Sequence, residues 1–379
     1  MEKIYQTIII GAGPAGLIAG QYLEDALILD KKQEIGKPIQ CVGMSKGSLV
    51  IQGMKPHSSW ARSKIYKVER IMPNGKRIGR MHKEYIGYVV EKAPLERFLV
   101  RKTKAEIKLN RRVIVLKLKN GFWEVKTSKG ELFKSKYIIG ADGFNSVVRR
   151  EIFGENKNKL RFVSGLEASI TTKEKVNPEI IRIYLDNERY VGGYGWVFPK
   201  SIHTANIGVG GEGNLQKKLD IFLEREIKRD YGNYQISATT KGVTCTQKPG
   251  FKFSKLGVML VGDAAGLNDP IFKAGTNQAM ISGKIAARCI LENEVPFYEG
   301  RIKSMPFSNP KILKGSKILY SLDNQTLNEL GELLEGRGFS YIKTLPAFTK
   351  ILHRASLRKD IFKLFKFLSV WKHNQDYLW

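Results

Sequence analysis

The chain has 379 residues, of which 42% are hydrophobic, and it carries 64 Lys and Arg against 36 Asp and Glu, a formal net charge of +28. This composition excludes a disordered chain, a collagen-like repeat and a small disulfide scaffold, and the length predicts two or three domains. The cysteines, Cys41, Cys245 and Cys289, are too widely spaced for a CxxC metal site and too few for a disulfide framework. We therefore predict no metal site and expect a protein of the reducing cytoplasm.

The hydropathy of the sequence indicates the location of the protein, and its net charge indicates the kind of partner. The N-terminal segment lacks the basic and apolar regions of a signal peptide, and no apolar run reaches the roughly 18 residues of a membrane-spanning helix. The net charge of +28 calls for an anionic partner, which nucleic acid, an acidic lipid surface or a phosphorylated substrate would each provide. A lysine-rich surface that only aids solubility is the alternative. The sign of the charge does not decide between these interpretations.

The first segment is predicted to form a strand, a glycine turn, a helix and a second strand. Residues 7–10 are a β-branched apolar run, which a GxGxxG pattern and a helical stretch follow, and the apolar run 26–29 ends in Asp30. This order is typical of dinucleotide binding, in which glycines admit the pyrophosphate and the acid accepts hydrogen bonds from a ribose. A glycine turn in an unrelated α/β protein is the alternative. The residues predicted to contact the cofactor are Gly11, Gly13, Pro14, Ala15, Gly16, Asp30 and Lys31.

Two later segments are also predicted to form a strand that is followed by a turn. Residues 137–149 contain a strand, a Gly-Ala-Asp-Gly turn with Asp142, and the start of a helix. Residues 257–266 contain a strand that ends in Gly262 and Asp263. The Asp263 carboxylate fits either an acceptor for sugar-type hydroxyls or a helix N-cap, and these two uses are compatible.

The three motifs, in this order, resemble the FAD-dependent oxidoreductases that share the para-hydroxybenzoate hydroxylase fold. The resemblance implies a Rossmann-like FAD-binding domain in which Asp142 and Gly262 lie beside the cofactor and Asp263 binds its ribityl chain. It also implies that a helix beginning near Gly275 and Thr276 points its positive end at the flavin.

The chain departs from this family in two places. Lys92 occupies the position of an arginine that contacts FAD in the family, so the charge is kept while the planar fork is lost. Lys273 and Ala274 stand where the family has a glycine-rich segment before the helix. How closely the backbone approaches the flavin is therefore open at this point.

An alternating aromatic pattern occupies residues 193–200. Period-2 spacing puts Tyr194, Trp196 and Phe198 on one face of a strand. The YxWxFP pattern resembles the geranylgeranyl reductase family, and residues 36–45 around Cys41 resemble that family's cysteine-glycine segment beside the flavin. The resemblance implies saturation of the double bonds in geranylgeranyl lipids, of the archaeal digeranylgeranylglycerophospholipid reductase type. Plain core packing of the aromatic side chains is the alternative.

An isolated alkene is a poor hydride acceptor, so we expect its reduction to need protonation or polarisation as well as a hydride from reduced FAD. Trp196 and Phe198 are predicted to line the substrate pocket, where aromatic faces stabilise positive charge. Tyr194 and Cys41 are the candidate proton-side groups. Cys41 is also a candidate cofactor contact, and a structural buried cysteine is the alternative. Because only one dinucleotide fingerprint is present, we expect no stably bound NADPH with a Rossmann domain of its own. The electron donor stays open between NAD(P)H and ferredoxin.

We predict an α/β chain, α+β overall, with three regions. The antiparallel sheet of the substrate domain is inserted into the Rossmann-like domain, and a helical basic region ends the chain. The predicted ranges are 1–53, 86–155 and 251–291 for the FAD-binding domain, 54–85 and 156–250 for the substrate-binding domain, and 292–379 for the C-terminal region.

The C-terminal region carries a basic amphipathic pattern. Residues 339–379 hold eight Lys and Arg against two Asp, and Lys359, Lys363, Lys366 and His373 share one face of a predicted helix. Such a helix is typical of attachment to an anionic membrane surface, and an ordinary packed helix is the alternative. We therefore expect a cytoplasmic protein bound peripherally to the inner face of the membrane, with an isoprenoid lipid substrate and an electron-donor protein or nicotinamide as partners.

Three other functions are alternatives to this one. An FAD-dependent monooxygenase acting on a hydrophobic substrate is the nearest alternative. An electron-transfer flavoprotein of the quinone-reductase kind needs four cysteines for its iron–sulfur cluster, and the chain has three. Nucleic-acid binding fits the charge, but no recognised binding motif accompanies it, so we expect no specific nucleic-acid partner.

Overall fold

Three β-sheets organise the protein, and their strands and helices are numbered along the chain. The computed structural model describes residues 3–37, 41–338, 341–342, 344–360 and 362–363. The predicted fold class is confirmed: a Rossmann-like α/β unit, an inserted sheet and helices toward the C-terminus. In the part of the chain that is described, no helix has both the length and the hydropathy needed to cross a membrane.

The first sheet has a parallel centre built around β1, which is buried on both faces. β1 pairs in parallel with β2 and β11, and β8 and β18 extend this parallel centre, while β9, β10 and β17 pair antiparallel. The carboxyl ends of β1, β2 and β18 meet at one edge, which brings the glycine turn, Asp30 and Asp263 together. The strands are β1 Ile4–Ile10, β2 Ala26–Leu29, β8 Glu106–Lys108, β9 Val113–Lys119, β10 Phe122–Thr127, β11 Leu132–Gly140, β17 Ser254–Lys255 and β18 Val258–Leu260.

The second sheet has seven strands in the order β16-β12-β15-β14-β13-β5-β6. The pairings of this sheet are antiparallel, as predicted, except that of β5 with β13, which is parallel. The reason is that β5 comes from a segment far earlier in the chain, so it does not enter the sheet through a hairpin. The strands are β5 Lys67–Ile71, β6 Arg77–Ile78, β12 Leu160–Thr172, β13 Ile180–Tyr184, β14 Gly195–Pro199, β15 Thr204–Gly211 and β16 Tyr234–Gln247.

A small third sheet has the order β3-β7-β4, and β5 and β6 of the second sheet fall between its strands β4 and β7 in sequence. Its strands are β3 Cys41–Ser45, β4 Ala61–Ile65 and β7 Gly87–Glu91. The α-helices are α1 Pro14–Tyr22, α2 Lys46–Gln52, α3 Lys92–Val100, α4 Val147–Ile152, α5 Leu215–Phe222, α6 Lys228–Tyr231, α7 Thr276–Leu291, α8 Tyr298–Ser304, α9 Pro310–Leu319, α10 Asn324–Leu334, α11 Leu345–Leu352 and α12 Ala355–Lys359. A π-helical turn, Leu223–Ile227, joins α5 to α6, and short 3₁₀ turns lie at Gly154–Asn156, Gly262–Ala265, Val295–Phe297 and Pro306–Ser308.

The second sheet carries an apolar core on each of its faces. Val197 and Ile207 pack against Phe222 of α5 on one face. On the other face Ile183 belongs to the same core as Leu330 of α10. The C-terminal helices are therefore part of the unit that contains the aromatic strand. Of the predicted basic face, Lys359 and Lys363 are described, whereas Lys366 and His373 lie outside the described residues.

Candidate active site

The three glycines of the turn after β1 have different physical roles. Gly11 has a φ of +111°, and a Cβ atom on Gly16 would lie 1.9 Å from the carbonyl oxygen of Gly11. Side chains are therefore excluded at both positions. A Cβ on Gly13 would meet nothing within 4 Å, so this residue borders open space. Because α1 begins at Pro14, its first amide groups and its positive end face that space, which suits a phosphate.

Asp30, at the end of β2, is directed back toward the glycine turn. Its Oδ2 accepts a hydrogen bond from the Ala12 amide at 2.6 Å, and its Oδ1 accepts one from the Lys32 amide at 2.7 Å. These bonds fix the carboxylate, while the lone pairs that remain on its oxygens can accept further hydrogen bonds. Lys31 is exposed beside it. The geometry suits the predicted contact with a ribose.

Lys92 begins α3, and the buried Glu96 lies one helical turn further on. Lys92 Nζ lies 4.0 Å from Glu96 Oε1, and Lys32 Nζ lies 3.7 Å from Glu96 Oε2. Burial raises the pKa of Asp263, and the charge of Lys92 opposes that rise. The charge of Lys92 therefore acts on Asp263. Sequence reasoning missed Glu96, although an acid one turn after Lys92 is visible in the sequence.

The two aspartates of the later motifs have different surroundings. Asp142 Oδ2 accepts hydrogen bonds from the amides of Val147 at 2.6 Å and Val148 at 3.2 Å, so this side chain caps α4. Its backbone touches the turn, since a Cβ on Gly11 would lie 3.0 Å from Asp142 Cα. Asp263 stays partly accessible, and its Oδ1 accepts a hydrogen bond from Asn268 Nδ2 at 3.0 Å.

The start of α7 is fixed by close contacts. A Cβ on Gly275 would lie 1.6 Å from Asn268 Oδ1, so any other residue just before Thr276 would displace the Asn268 side chain. Gly283, which sequence reasoning missed, packs against α1 so closely that a Cβ there would lie 2.2 Å from the carbonyl oxygen of Ala15. Gly262 donates its amide to Ser282 Oγ at 2.9 Å. These contacts hold the α7 N-terminus beside the glycine turn.

The loop before α7 is anchored through three consecutive carbonyl groups. Asp269 is buried and accepts hydrogen bonds from the amides of Ile271 at 3.1 Å and Phe272 at 2.5 Å. Side chains from the second sheet and from α9 and its C-terminal end donate to the carbonyls on the other side. These donors are Ser316 Oγ to Pro270 O at 2.8 Å, Tyr320 OH to Ile271 O at 2.5 Å, and Tyr194 OH to Phe272 O. The Tyr194 hydroxyl thus supports the loop.

The aromatic residues of the predicted stripe lie on one face of the second sheet, as the alternation predicts. Tyr194 is buried, whereas Trp196 and Phe198 are half-buried, and all three pack on the same apolar core. The Tyr194 ring centroid lies 5.8 Å from that of Trp196 and 6.0 Å from that of Phe272 in the loop, both edge-on. Sequence reasoning missed Phe272, because the loop meets the sheet only in the folded chain.

The Trp196 indole rests on glycines of β15 and β12, the next two strands on one side of β14. A Cβ on Gly208 would lie 2.3 Å from Trp196 Cζ2, one on Gly165 would lie 3.3 Å from Cη2, and one on Gly210 would lie 3.6 Å from Cζ3. The indole Nε1 donates to Glu167 Oε2 at 3.4 Å. These contacts set the ring flat against the sheet, which leaves its outer face toward the space beneath the loop.

A cavity of about 1240 Å³, including its open mouth, lies between this sheet face and the loop. Its wall includes Gly43 of β3 and reaches Thr276 at the start of α7. Its lining is mainly apolar and contains three charged side chains, Arg70, Glu167 and Lys273. The aromatic lining consists of Tyr194, Trp196, Phe198 and Phe272.

Comparison with known proteins identifies the family. A digeranylgeranylglycerophospholipid reductase from Methanosarcina acetivorans is 31% identical over 311 residues, which cover 77% of this chain and 76% of the relative. The chain belongs to the geranylgeranyl reductase family. The family model for the geranylgeranyl reductase catalytic domain matches residues 163–244, which run from within β12 to within β16 and include the aromatic strand.

Other relatives are also similar to this chain along most of its length. The digeranylgeranylglycerophospholipid reductase from Methanocaldococcus jannaschii is 29% identical and covers 88% of this chain and 91% of the relative. A geranylgeranyl bacteriochlorophyll reductase-like structure from Thermoplasma acidophilum has a TM-score of 0.79 at 24% identity and covers 96% of this chain and 100% of its own. HpxO from Klebsiella pneumoniae, solved with FAD and uric acid, has a TM-score of 0.69 at 14% identity, covering 96% and 97% of the two chains, which shows a shared fold.

Cys41, the other residue shared with the family's motifs, begins β3 and pairs with Glu91, next to Lys92. Two residues further along the same strand, Gly43 lines the cavity. The side chain of Cys41 lies outside the described part of the structure. Among the described residues, no group of three or more His, Cys, Asp or Glu side chains is arranged to hold a metal ion.

Proposed function

We propose that this protein is an FAD-dependent reductase that saturates carbon–carbon double bonds in the geranylgeranyl chains of lipids. The observation that carries the proposal is the aromatic cavity between the second sheet and the loop before α7. It lies within reach of the nucleotide-binding edge and is bounded by strands of the region that matches the geranylgeranyl reductase catalytic domain. The names of the relatives support a lipid substrate for this cavity.

The residues at the carboxyl edge of the first sheet fit FAD. Gly13 leaves room for a pyrophosphate beside the α1 N-terminus, and the Asp30 and Asp263 carboxylates can accept hydrogen bonds from hydroxyl groups of ribose and ribityl. Lys92 supplies a cation near Asp263. When bound and reduced, FAD supplies the hydride that one alkene carbon receives. The α7 N-terminus adds positive potential on the cavity side.

The cavity residues have two tasks in this reaction. The apolar wall excludes water from the prenyl chain, because aliphatic and aromatic groups cover most of it. The aromatic faces of Trp196 and Phe272 border the space in which positive charge develops as the alkene is polarised. A desolvated contact of that kind stabilises a cation by about 2 kcal/mol.

The second alkene carbon needs a proton, and we propose Cys41 and Tyr194 as the candidate proton donors. Burial raises the pKa of Tyr194, so the phenol stays protonated at neutral pH. Because its hydroxyl donates to the Phe272 carbonyl, proton delivery from Tyr194 requires that bond to open. Cys41 starts the strand that borders the cavity through Gly43. We therefore place Cys41 first and Tyr194 second as proton donor.

An anaerobic turnover assay tests the function. The flavin of the purified protein is reduced with dithionite, geranylgeranylated glycerophospholipid is added, and the mass of the product and the flavin absorbance are followed. We expect a gain of two hydrogens per double bond together with flavin reoxidation, and no reoxidation with the saturated lipid as control. An unsaturated lipid in the presence of reduced flavin would overturn the proposal. Substrate-dependent oxygen consumption in air would then favour the monooxygenase alternative.

We also propose that the protein works at an anionic membrane surface. The net charge of +28 and a lipid substrate support this location. Sedimentation with phosphatidylglycerol vesicles tests it, and binding that is lost at high salt is the expected result. Equal recovery of the protein with neutral phosphatidylcholine vesicles would contradict binding to an anionic surface.

The electron donor needs a separate test. Stopped-flow measurement of flavin reduction by NADPH and by reduced ferredoxin identifies which of the two is the donor.

A further inference from the structure

Glu167 lies on the wall of the cavity, in the same cross-strand row as Trp196. Residues that pair directly across neighbouring strands share one face of a sheet. Glu167 of β12 pairs with Gly208 of β15, and Gly208 pairs with Trp196 of β14. The row continues through Ile183 of β13 to Arg70 of β5. The side chains of this row line the cavity, so the row forms part of the cavity floor.

The Glu167 carboxylate reaches the indole across Gly208, because glycine has no side chain to separate them. Its Oε2 accepts a long hydrogen bond from Trp196 Nε1 at 3.4 Å, and its Oε1 accepts one from Asn206 Nδ2 at 2.8 Å. Asn206 is buried, and its Oδ1 accepts a hydrogen bond from Ser169 Oγ at 2.9 Å. Both oxygens of Glu167 thus accept from N–H groups, as those of an ionised carboxylate do. The negative group is held at the edge of the ring.

The two cations of the cavity wall have partners of their own. Arg70 ends the row, and its guanidinium lies 5.8 Å from the centre of the Phe272 ring. The Lys273 ammonium donates to a backbone carbonyl of the loop, and Asp269 is the charged residue that acts on it most strongly. The charge in hydrogen-bond contact with the indole is that of Glu167. The floor therefore presents negative charge beside the ring that borders the alkene.

We propose that the Glu167 carboxylate, together with the Trp196 ring, stabilises the positive charge that develops on the alkene during reduction. This inference rests on the proposed function and adds an anionic residue to it. One alkene carbon takes the proton and the other takes the hydride, while Glu167 exchanges neither.

Two physical effects support this role. An indole whose N–H donates to a carboxylate has a more negative ring face, which strengthens its attraction for a cation. The carboxylate adds an attraction of its own, which is stronger where water is excluded. Because the alkene is uncharged in the ground state, both effects act mainly in the transition state. The charge of Glu167 should therefore change the rate of reduction and leave lipid binding almost unchanged.

An isosteric and a truncating variant separate the charge of Glu167 from its structural support of the ring. Glu167→Gln keeps an acceptor for the indole and, after rotation of the Asn206 amide, a bond to that residue, but it removes the charge. In a single turnover with geranylgeranylated glycerophospholipid, we expect the rate constant of flavin reoxidation to fall about thirtyfold in Glu167→Gln and at least as far in Glu167→Ala. The dissociation constant of the lipid, measured with oxidised protein, should stay the same in Glu167→Gln.

Glu124→Gln is the matched control, because it removes a half-buried acid from β10 of the first sheet. It should keep the wild-type rate constant. A wild-type rate constant in Glu167→Gln would overturn the proposal. Together with a large loss in Glu167→Ala, it would mean that Glu167 only supports the ring.

A cationic analogue tests the inference without turnover. In one analogue of digeranylgeranylglycerophosphate, a dimethylammonium group replaces a branched alkene carbon, at each such carbon in turn, and in the neutral counterpart a dimethyl-substituted carbon stands there. The two analogues share their shape and differ in charge. We expect Glu167→Gln to weaken the binding of the charged analogue relative to the neutral one about thirtyfold, and Glu124→Gln to leave this ratio unchanged.

The two measurements separate this inference from the proposed function. An unchanged ratio in Glu167→Gln at every analogue position would overturn the role of Glu167, even if the wild-type protein reduces the lipid. If the wild-type protein reduces no prenyl lipid, the proposed function fails, and the ratio of dissociation constants still decides whether Glu167 attracts a cation to the cavity floor.

Discussion

The nucleotide-binding edge and the aromatic cavity are built by different means. At the edge, the backbone forms the site: Gly11 and Gly16 admit no side chain, and Gly13 leaves a space. In the cavity, side chains from distant segments form the site, as when Tyr194 of one sheet holds the loop at Phe272. We therefore expect a substitution at the edge to act through the backbone, whereas one in the cavity acts mainly through the position of a ring or a charge.

The largest effect is expected from Gly16→Ala at the edge. The new Cβ would lie 1.9 Å from the Gly11 carbonyl oxygen, so α1 must move away from the turn. We expect the free energy of unfolding to fall by about 3 kcal/mol and the purified protein to lose its flavin. Urea unfolding and the flavin-to-protein absorbance ratio measure these changes.

Gly13→Ala is the matched control for that prediction. A Cβ there meets nothing within 4 Å of the protein, so the free energy of unfolding should change by less than about 1 kcal/mol. The flavin affinity should nevertheless fall about tenfold, because the methyl group enters the space assigned to the pyrophosphate. Equal destabilisation by both substitutions would contradict the backbone account of this edge.

In the cavity, Gly208→Ala should displace the Trp196 ring. The added Cβ would lie 2.3 Å from Trp196 Cζ2 and 2.6 Å from the Leu166 carbonyl oxygen. We expect kcat/KM for the prenyl lipid to fall about tenfold with unchanged flavin affinity. Gly210→Ala places its Cβ at an ordinary 3.6 Å from the same ring and should retain nearly full activity. Similar losses in the two variants would mean that the indole position does not matter for turnover.

Tyr194→Phe should have a smaller effect. It removes the hydroxyl that donates to the Phe272 carbonyl and keeps the ring, so we expect KM for the lipid to rise about threefold as the loop loses one of its supports. Steady-state kinetics with a fixed reductant measure this. A hundredfold lower kcat at unchanged KM would instead identify Tyr194 as the proton donor.

The pH dependence of lipid binding should be the mildest effect. Burial and the charge of Arg161 lower the pKa of Lys273, while Asp269 and Glu212 oppose this shift. Its ammonium is charged below that lowered pKa and neutral above it, so KM for the anionic glycerophospholipid should rise as the pH passes from neutral to alkaline, because the cavity wall then loses a cation. The rise should precede the titration of ordinary lysines, near pH 10. Lys273→Met should abolish it, and the same rise in that variant would assign the effect to another group.

The sequence predicts the edge better than it predicts the cavity. The strand, turn and helix around Gly11 are local, so residue spacing is enough to identify them, and alternation correctly puts Tyr194, Trp196 and Phe198 on one face. The contacts of Phe272 and Gly208 join segments far apart in sequence, and no local pattern records them. For the same reason, the sequence did not predict the parallel pairing of β5 with β13.

A crystal structure of the oxidised, FAD-loaded protein with digeranylgeranylglycerophosphate would show directly whether the aromatic cavity binds the prenyl chain. Oxidised flavin does not reduce the lipid, so the unsaturated chain remains bound. We predict electron density for a prenyl chain in the cavity between Trp196 and the loop that contains Phe272, with a double bond beside the flavin ring. A lipid bound elsewhere, with this cavity filled by water, would contradict the proposal that the cavity is the substrate site.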